Sequence, residues 1–327
     1  MRMIGIRYVI PVLTVALLLL TSACNPKVVI PVPKPSTVPH STRWGIYELD
    51  PASQAVDIVY GSDSKIEYLD LNKQGNRFVF AQFYNGEANE NAEVCTYDVV
   101  SRKFERLTNN TLMDLYPVWS PDGSKIAFLS LRAKDLDIFL MNSDGSEQSR
   151  LFDSGTHDAD IDWEGNNIAF TSESRIWLMH ADGTGATPLT APPQAGVWGK
   201  ANLPFGDYDP RISPDGTTVA FERLEKDDSP HGNYNIYSVN IDGSQERRLT
   251  DTGYSQGIVS WSHSGDRLVF VVAAIGEEAK YDIFTMNSDG SEIKNITPEY
   301  FPADFICRTP VFSPDDTKIY FIGEWWQ

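Results

Sequence analysis

The feature that most constrains this 327-residue chain is an internal repeat with a period of 40 to 50 residues. A phenylalanine in a short apolar run recurs six times, at Phe80, Phe128, Phe170, Phe221, Phe270 and Phe321, at intervals of 48, 42, 51, 49 and 51 residues. A fixed period of this length is typical of folds built from one repeated supersecondary unit. The sequence therefore predicts six copies of such a unit.

The clearest copy runs from Tyr116 to about Phe152 and has the pattern of four short strands. Residues 117–119 and 125–129 read as strands on either side of Ser120-Pro-Asp-Gly, whose proline presets φ and whose glycine relieves strain at the end of the turn. Asp137–Asn142 is a third strand, and Asp144-Gly145 is a hairpin turn before a short fourth strand. Each copy is thus predicted to be a four-stranded antiparallel sheet.

Such a sheet cannot bury both of its faces alone, and radial stacking of six sheets gives a β-propeller. The last copy has only two strands, at 308–312 and 318–322, before the chain ends at Gln327. Trp44–Leu49 and Val56–Tyr60 can supply the two missing outer strands. We therefore predict an all-β, six-bladed propeller over residues 43–327, with the last blade closed by the N-terminal segment.

The turn motifs resemble those of TolB-like propellers, whose WD-like repeats carry Ser-Pro-Asp-Gly. They stand in this chain as Trp119-Ser-Pro-Asp-Gly, Ile212-Ser-Pro-Asp-Gly and Phe312-Ser-Pro-Asp-Asp. The resemblance covers roughly residues 43–327 and implies an envelope protein that binds a protein or peptide. The chain departs from TolB at its start, where a proline-rich segment stands in place of a separate α/β domain.

The first 42 residues have the pattern of a lipoprotein leader and a tether. Arg2 and Arg7 precede an apolar run over 8–20, and Leu20-Thr-Ser-Ala-Cys24 resembles a bacterial lipobox. Five prolines lie between Asn25 and Thr42, which predicts an extended linker. We expect a signal peptide at 1–23, lipidation of Cys24 and a tether at 24–42. The protein would then be exported and anchored to a membrane, facing the periplasm or the cell exterior. The alternative is an ordinary signal peptide with a chance cysteine.

The charge of the chain excludes one class of partner. The net charge is −18, and loss of residues 1–23 would make it −20 because Arg2 and Arg7 go with them. Nucleic-acid binding depends on positive charge, so we expect no nucleic-acid partner. We also expect the protein to be a monomer. Cys95 and Cys307 are either two buried thiols or a disulfide, which two cysteines alone do not decide.

Acidic residues recur at the start of the predicted inner strands. Asp114, Asp158 and Asp207 occupy one repeat slot, and alternation on a strand would put Asp160 and Asp162 on the same face as Asp158. Oxygen ligands of this kind suit Ca²⁺ or Mg²⁺. Asp114, Asp158, Asp160 and Asp207 are therefore candidate metal ligands at an acidic channel mouth; ion pairing with Arg211, or simple hydration, is the alternative.

Two long polar or aromatic loops are candidate recognition sites, because such loops on a rigid scaffold commonly bind partners. The first is Ala191–Gly206 with Trp198 and Phe205, and the second is Leu224–Asn235 with His231. These three residues are the partner-binding candidates. The alternative is that the aromatic side chains pack on the propeller surface.

The sequence offers no convincing catalytic group. Gly253-Tyr-Ser-Gln-Gly257 fits G-x-S-x-G, but that motif needs a following helix, which the repeat pattern does not provide. We expect a non-catalytic, lipid-anchored binding or scaffold propeller that recognises an envelope protein or peptide, with Ca²⁺ as the one possible cofactor. The alternative is a carbohydrate-binding or carbohydrate-active propeller with a cation in an acidic central channel.

Overall fold

A computed structural model describes residues 42–84, 91–198, 204–226, 233–274, 280–302 and 304–325. These residues form six four-stranded antiparallel sheets, and none of them is helical. The strands are β1 (Trp44–Asp50), β2 (Ala55–Ser62), β3 (Ile66–Leu71), β4 (Arg77–Tyr84), β5 (Asn91–Asp98), β6 (Lys103–Arg106), β7 (Asp114–Trp119), β8 (Lys125–Ser130), β9 (Asp137–Asn142), β10 (Ser149–Phe152), β11 (Asp158–Glu164), β12 (Asn167–Ser172), β13 (Arg175–His180), β14 (Thr187–Pro188), β15 (Gly206–Ile212), β16 (Thr218–Lys226), β17 (Asn233–Asn240), β18 (Arg247–Arg248), β19 (Ser255–Trp261), β20 (Arg267–Ala274), β21 (Lys280–Asn287), β22 (Lys294–Asn295), β23 (Phe305–Phe312) and β24 (Ile319–Trp325).

Each sheet is one blade of a ring. Blades 1 to 5 are β3–β6, β7–β10, β11–β14, β15–β18 and β19–β22, and each begins with its innermost strand. Blade 6 has the order β2-β1-β24-β23, so the first two strands of the chain complete the last blade. In that blade Tyr47 pairs with Phe321, and Trp44 pairs with Glu324. The predicted six-bladed propeller and its N-terminal closure are confirmed.

The turn after each inner strand is formed by local hydrogen bonds that the sequence encodes. In blade 2 the Asp122 carboxylate accepts hydrogen bonds from the Ser120 hydroxyl at 2.6 Å and the Ser124 amide at 3.0 Å, while Gly123 has a φ of 71°. That left-handed conformation favours glycine. In blade 4, Ser213 and Thr217 donate to Asp215 in the same way. This local chemistry explains why the Ser-Pro-Asp-Gly motif marks the blades.

The six marker phenylalanines lie in the core between blades, where each is almost completely buried. Phe128 of blade 2, for example, packs in one cluster with Val79 and Val94 of blade 1. A buried phenylalanine contributes about 1.5–3 kcal/mol through burial of apolar area. Each repeat therefore places one phenylalanine at the contact between neighbouring blades.

Each inner strand contains a β-bulge that the sequence analysis did not predict. The residues with left-handed φ at the bulges are Tyr68, Tyr116, Asp160, Asp209, Ile258 and Thr309, with values between 46° and 62°. In β11, Asp160 and Ile161 together face one residue of β12, because Ala159 pairs with Thr171 and Asp162 pairs with Ala169. The bulge interrupts the alternation of side chains, so the predicted common face of Asp158, Asp160 and Asp162 is wrong.

Candidate functional site

The inner strands of all six blades surround a cavity on the ring axis. Its volume is about 60 Å³, which is room for a few water molecules or a small ion. The polar side chains on its wall are Tyr68, Asp70, Tyr116, Asp162, Arg211, Ser260 and Thr309. Because it touches every blade, this axial cavity is the natural centre of the candidate site.

Two carboxylates of the cavity wall bind the neighbouring blade. Asp70 accepts a hydrogen bond from the amide of Trp119 at 2.8 Å, and Asp162 accepts one from the amide of Ile212 at 2.7 Å. Both aspartates lie two residues after the bulge of their strand. Burial raises the pKa of Asp70 to about 7 and also raises the pKa of Asp162. Their first role is thus to join the inner strands of successive blades.

A second group of acids lies beside the same wall and shares one arginine. Arg211 forms an ion pair with Asp209 at 2.8 Å, and Asp160 accepts a hydrogen bond from the amide of Asp209 at 3.3 Å. Glu222 accepts a hydrogen bond from the amide of Ile258 in blade 5. Burial raises the pKa of Asp209 to about 6 and that of Glu222 well above its usual value. Four carboxyl groups, those of Asp70, Asp160, Asp162 and Asp209, act on the one guanidinium of Arg211, and Glu222 adds a fifth beside Asp209, so the interior is acidic.

Three of these acids, Asp70, Asp209 and Glu222, were missed by the sequence analysis. Two of them carried a signal in the repeat. Asp209 occupies the bulge slot of Asp160, and Asp70 occupies the slot of Asp162. Glu222 lies on β16 opposite Tyr208, and nothing in the repeat pattern distinguishes it.

The structure does not bring the four candidate metal ligands together. Asp114 forms an ion pair with Arg132 at 2.6 Å and accepts a hydrogen bond from Asn110 at 2.7 Å, between blades 1 and 2. Asp207 forms a bidentate pair with Arg223, at 2.5 and 2.9 Å, between blades 3 and 4. Within the described parts of the chain, no group of three or more His, Cys, Asp or Glu side chains could hold a metal ion.

A shared channel mouth for these four aspartates is therefore wrong. Asp114 and Asp207 lie in the seams between blades, where arginines neutralise them. Asp160 faces blade 4 through the Asp209 amide. Asp158 is fully buried near Asp137 of blade 2 and, unlike its two equivalents, has no ion-pair partner within the described residues.

The described parts of the loop between blades 3 and 4 pair with each other as the two arms of a hairpin. Gly196 donates a backbone hydrogen bond to Phe205 at 3.0 Å, Phe205 donates one to Val197 at 2.8 Å, and Trp198 is bridged to Pro204. Trp198 is 67% exposed and Val197 is 55% exposed, whereas Phe205 is half-buried. The Trp198 side chain is thus accessible to solvent, whereas the Phe205 side chain is partly covered at the base of the hairpin.

Several sequence predictions fall outside the described residues. They are the signal peptide, Cys24, all of the tether except Thr42, and His231. Both remaining cysteines, Cys95 and Cys307, are buried and are not joined to each other by a disulfide. Ser255 of the G-x-S-x-G motif lies in β19, paired with Ala273, and not at a strand-to-helix turn. Among the described residues, none belongs to an apolar helix of the length that a bilayer requires.

The geometry defines the chain as a closed six-bladed β-propeller with an acidic axis. No protein-family model matches it. It is 26% identical over 178 residues to an uncharacterized protein of Agrobacterium fabrum, covering 51% of this chain and 57% of that protein. It is 27% identical over 221 residues to a protein TolB homolog of Chlorobium luteolum, covering 66% of this chain and 44% of that protein. The chain therefore spans about half the length of these curated relatives.

A solved structure of a candidate TolB from Agrobacterium tumefaciens superposes with a TM-score of 0.66 at 19% identity, covering 87% of this chain and 99% of that one. At that identity the likeness concerns the fold alone. The chain is a TolB-like six-bladed β-propeller.

Proposed function

We propose that this chain is an exported, lipid-anchored envelope protein whose propeller binds a protein or peptide and performs no catalysis. The proposed organisation is a signal peptide at 1–23, a lipidated Cys24 with a tether over 24–42, and the propeller over 43–327. The similarity to a TolB homolog supports the envelope setting. A net charge of −18 supports a partner that carries basic groups.

The observation that carries the binding role is the hairpin formed by 196–198 and 204–205 between blades 3 and 4. It holds an exposed tryptophan on a framework that is tied down at its base, since the Tyr208 hydroxyl donates to the Pro204 carbonyl at 2.5 Å and the Asp207 amide donates to Ser174 at 3.0 Å. Exposed tryptophans are enriched among residues that dominate interface energetics. Exposed Val197 and Trp198 side chains on an anchored hairpin arm fit a protein or peptide partner.

The test is site-specific photo-cross-linking in the cells that make the protein. A photoreactive phenylalanine derivative at position 198 is expected to give one discrete adduct, whereas the same group at Val100, which is 83% exposed in the turn between β5 and β6, gives none. With the captured partner purified, Trp198→Ala should weaken binding by about 30-fold, the loss that about 2 kcal/mol at an interface hot spot produces. Equal adducts at both positions, or unchanged affinity of Trp198→Ala, would refute this binding site.

A carbohydrate-binding or carbohydrate-active propeller with a cation in the central channel is the second candidate. The acidic side chains of the axis favour it, but a sugar ring must also fit between them. The axial cavity of about 60 Å³ has space for little more than a few waters. The hairpin therefore supports the protein-binding proposal better than the axis supports the carbohydrate one.

A further inference from the structure

The seams between blades 1 and 2, 2 and 3, and 3 and 4 carry the same buried aspartate in three different settings. Asp114, Asp158 and Asp207 each lie two residues before the bulge of an inner strand, and all three are fully buried. Asp114 is paired with Arg132, and Asp207 is paired with Arg223. Two of the three seams thus hold a carboxylate together with its own guanidinium.

In the seam between blades 2 and 3, no ion pair among the described residues joins an arginine to the Asp158 carboxylate; Arg150 pairs with Asp137 instead. Asp207 is opposite Arg223 in the strand pairing, and the residue in the same place opposite Asp158 is Ser172. Among the described residues, neither carboxylate oxygen of Asp158 has a hydrogen-bond partner of good geometry, and both oxygens are inaccessible to solvent. A buried ionised carboxylate with no counter-charge is costly, so this position calls for a cation.

The groups around Asp158 are oxygen donors. The hydroxyls of Ser154 and Ser172 and the amide of Ser154 lie within weak hydrogen-bonding reach of the Asp158 carboxylate, and Ser172 donates to Ser154 at 3.2 Å. Asp137 of blade 2 adds a second carboxylate nearby, and one of its oxygens accepts a hydrogen bond from Arg150 at 3.1 Å. The Asp158 amide donates to the Leu136 carbonyl at 2.9 Å and so ties the strand to blade 2.

The position is close to solvent despite its burial. Gly155, Thr156 and His157, the residues directly before Asp158, are all exposed. A small ion would have to pass only this short connection to reach the carboxylate.

We propose that the seam between blades 2 and 3 binds a small hard cation, Ca²⁺ or Na⁺, through the Asp158 carboxylate and the Ser154 and Ser172 hydroxyls. All the proposed ligands are oxygens, which is the donor set that these ions prefer. Mg²⁺ fits less well because it demands near-ideal octahedral geometry. Since the site has fewer than three charged ligands, Ca²⁺ affinity should lie at about 10⁻⁴–10⁻³ M, the weak end of the protein range. The cation replaces the guanidinium of the neighbouring seams and does not depend on the proposed partner.

The experiment measures the thermal unfolding midpoint of the full chain at constant ionic strength, with tetramethylammonium chloride replaced stepwise by CaCl₂, NaCl or MgCl₂. A site that exists only in the folded state raises the midpoint in a saturable way. We expect this rise with Ca²⁺ or Na⁺, a smaller one with Mg²⁺, and loss of the rise in Asp158→Asn. Asp207→Asn is the matched control and should keep it, whatever its own effect on stability.

A second variant separates a bound ion from general effects on an acidic surface. Ser172→Arg places a guanidinium opposite Asp158, as Arg223 lies opposite Asp207. We expect this variant to unfold at a higher temperature than the natural chain without the ion and to lose its response to the ion. The proposal is overturned if the natural chain shows no saturable response, or if Asp158→Asn or Ser172→Arg responds as the natural chain does.

Discussion

At the scale of single residues, the turn of blade 6 shows how one substitution in a repeat can be compensated. Asp316, with a φ of 57°, stands where all five other blades have a left-handed glycine. Its carboxylate accepts hydrogen bonds from the amides of His263 at 2.7 Å and Ser264 at 2.9 Å, both in the turn of blade 5. The hydrogen bonds that link blades 5 and 6 thus offset the cost of the unfavourable φ at Asp316.

We expect Asp316→Gly to destabilise the protein even though glycine suits the backbone better. Loss of two charge-assisted hydrogen bonds should lower the free energy of unfolding by about 1–3 kcal/mol. This loss is larger than the stability gained when glycine relieves the unfavourable φ. Urea unfolding at pH 7 measures the difference. An equal or higher free energy of unfolding in Asp316→Gly would show that the link contributes nothing.

The buried Asp70 gives the protein a defined response to pH. Its folded pKa of about 7 lies above the usual value near 3.8 because burial disfavours the charged carboxylate. The folded state therefore binds the proton more tightly, so this group's contribution to stability is full below about pH 4 and is lost as the pH rises to about 7. The loss amounts to up to about 4 kcal/mol.

Asp70→Asn should flatten this dependence, because the amide does not ionise. Denaturant unfolding at pH 5 and pH 8 compares the two proteins, and the fall in unfolding free energy between these values should be smaller in the variant. Asp215→Asn, at a surface turn, is the control and should keep the natural fall. An identical pH dependence in Asp70→Asn would show that Asp70 is not the titrating group.

At the scale of the elements, the strands and their order could be predicted, but the inner-strand bulges could not. Turn residues and the phenylalanine period are local signals, and they located the four strands of a blade. The bulges place Ile258 and Thr309 in a left-handed conformation that β-branched residues rarely adopt. Since local preference opposes that conformation, ring geometry imposes it. The strand faces of Asp160 and Asp162 therefore could not be predicted from the alternation of polar and apolar residues in the sequence.

The closing strand β1 is the element on which the ring depends most. Tyr47 is fully buried, stacks on Phe321 at 5.5 Å and meets the edge of Phe305 at 5.2 Å. We expect Tyr47→Ala to lower the free energy of unfolding by about 3–5 kcal/mol, as loss of a large core aromatic does. Chemical unfolding of the variant is the measurement.

The control for this variant is Phe104→Ala on β6, an outer strand of blade 1, where the side chain is 37% exposed. Phe104→Ala should lower the free energy of unfolding clearly less than Tyr47→Ala does. Equal costs at the two positions would show that closure carries no special share of the stability.

At the scale of the whole molecule, the anchor remains a prediction from the sequence, and it can be tested directly. Cys24→Ala removes the thiol that would carry the lipid, so the chain should move from the membrane fraction to the soluble fraction and lose incorporation of a fatty-acid analogue. Labelling and fractionation of cells that make either form are the measurements. Absence of label in the natural chain would leave residues 1–23 as an ordinary signal peptide.

The pairing of β1 with β24 joins ends of the chain that are far apart in sequence, since Arg43 and Glu324, which form an ion pair across this blade, are separated by 281 residues. Contacts of such long range form late, because a large loop must close first. While the chain is still being synthesised, β1 and β2 are therefore available without the strand that they complete, and they expose an unpaired edge to other chains. Because β1 gains its partner only when β24 has been made, the first hairpin of the chain is the last part of the ring to be protected.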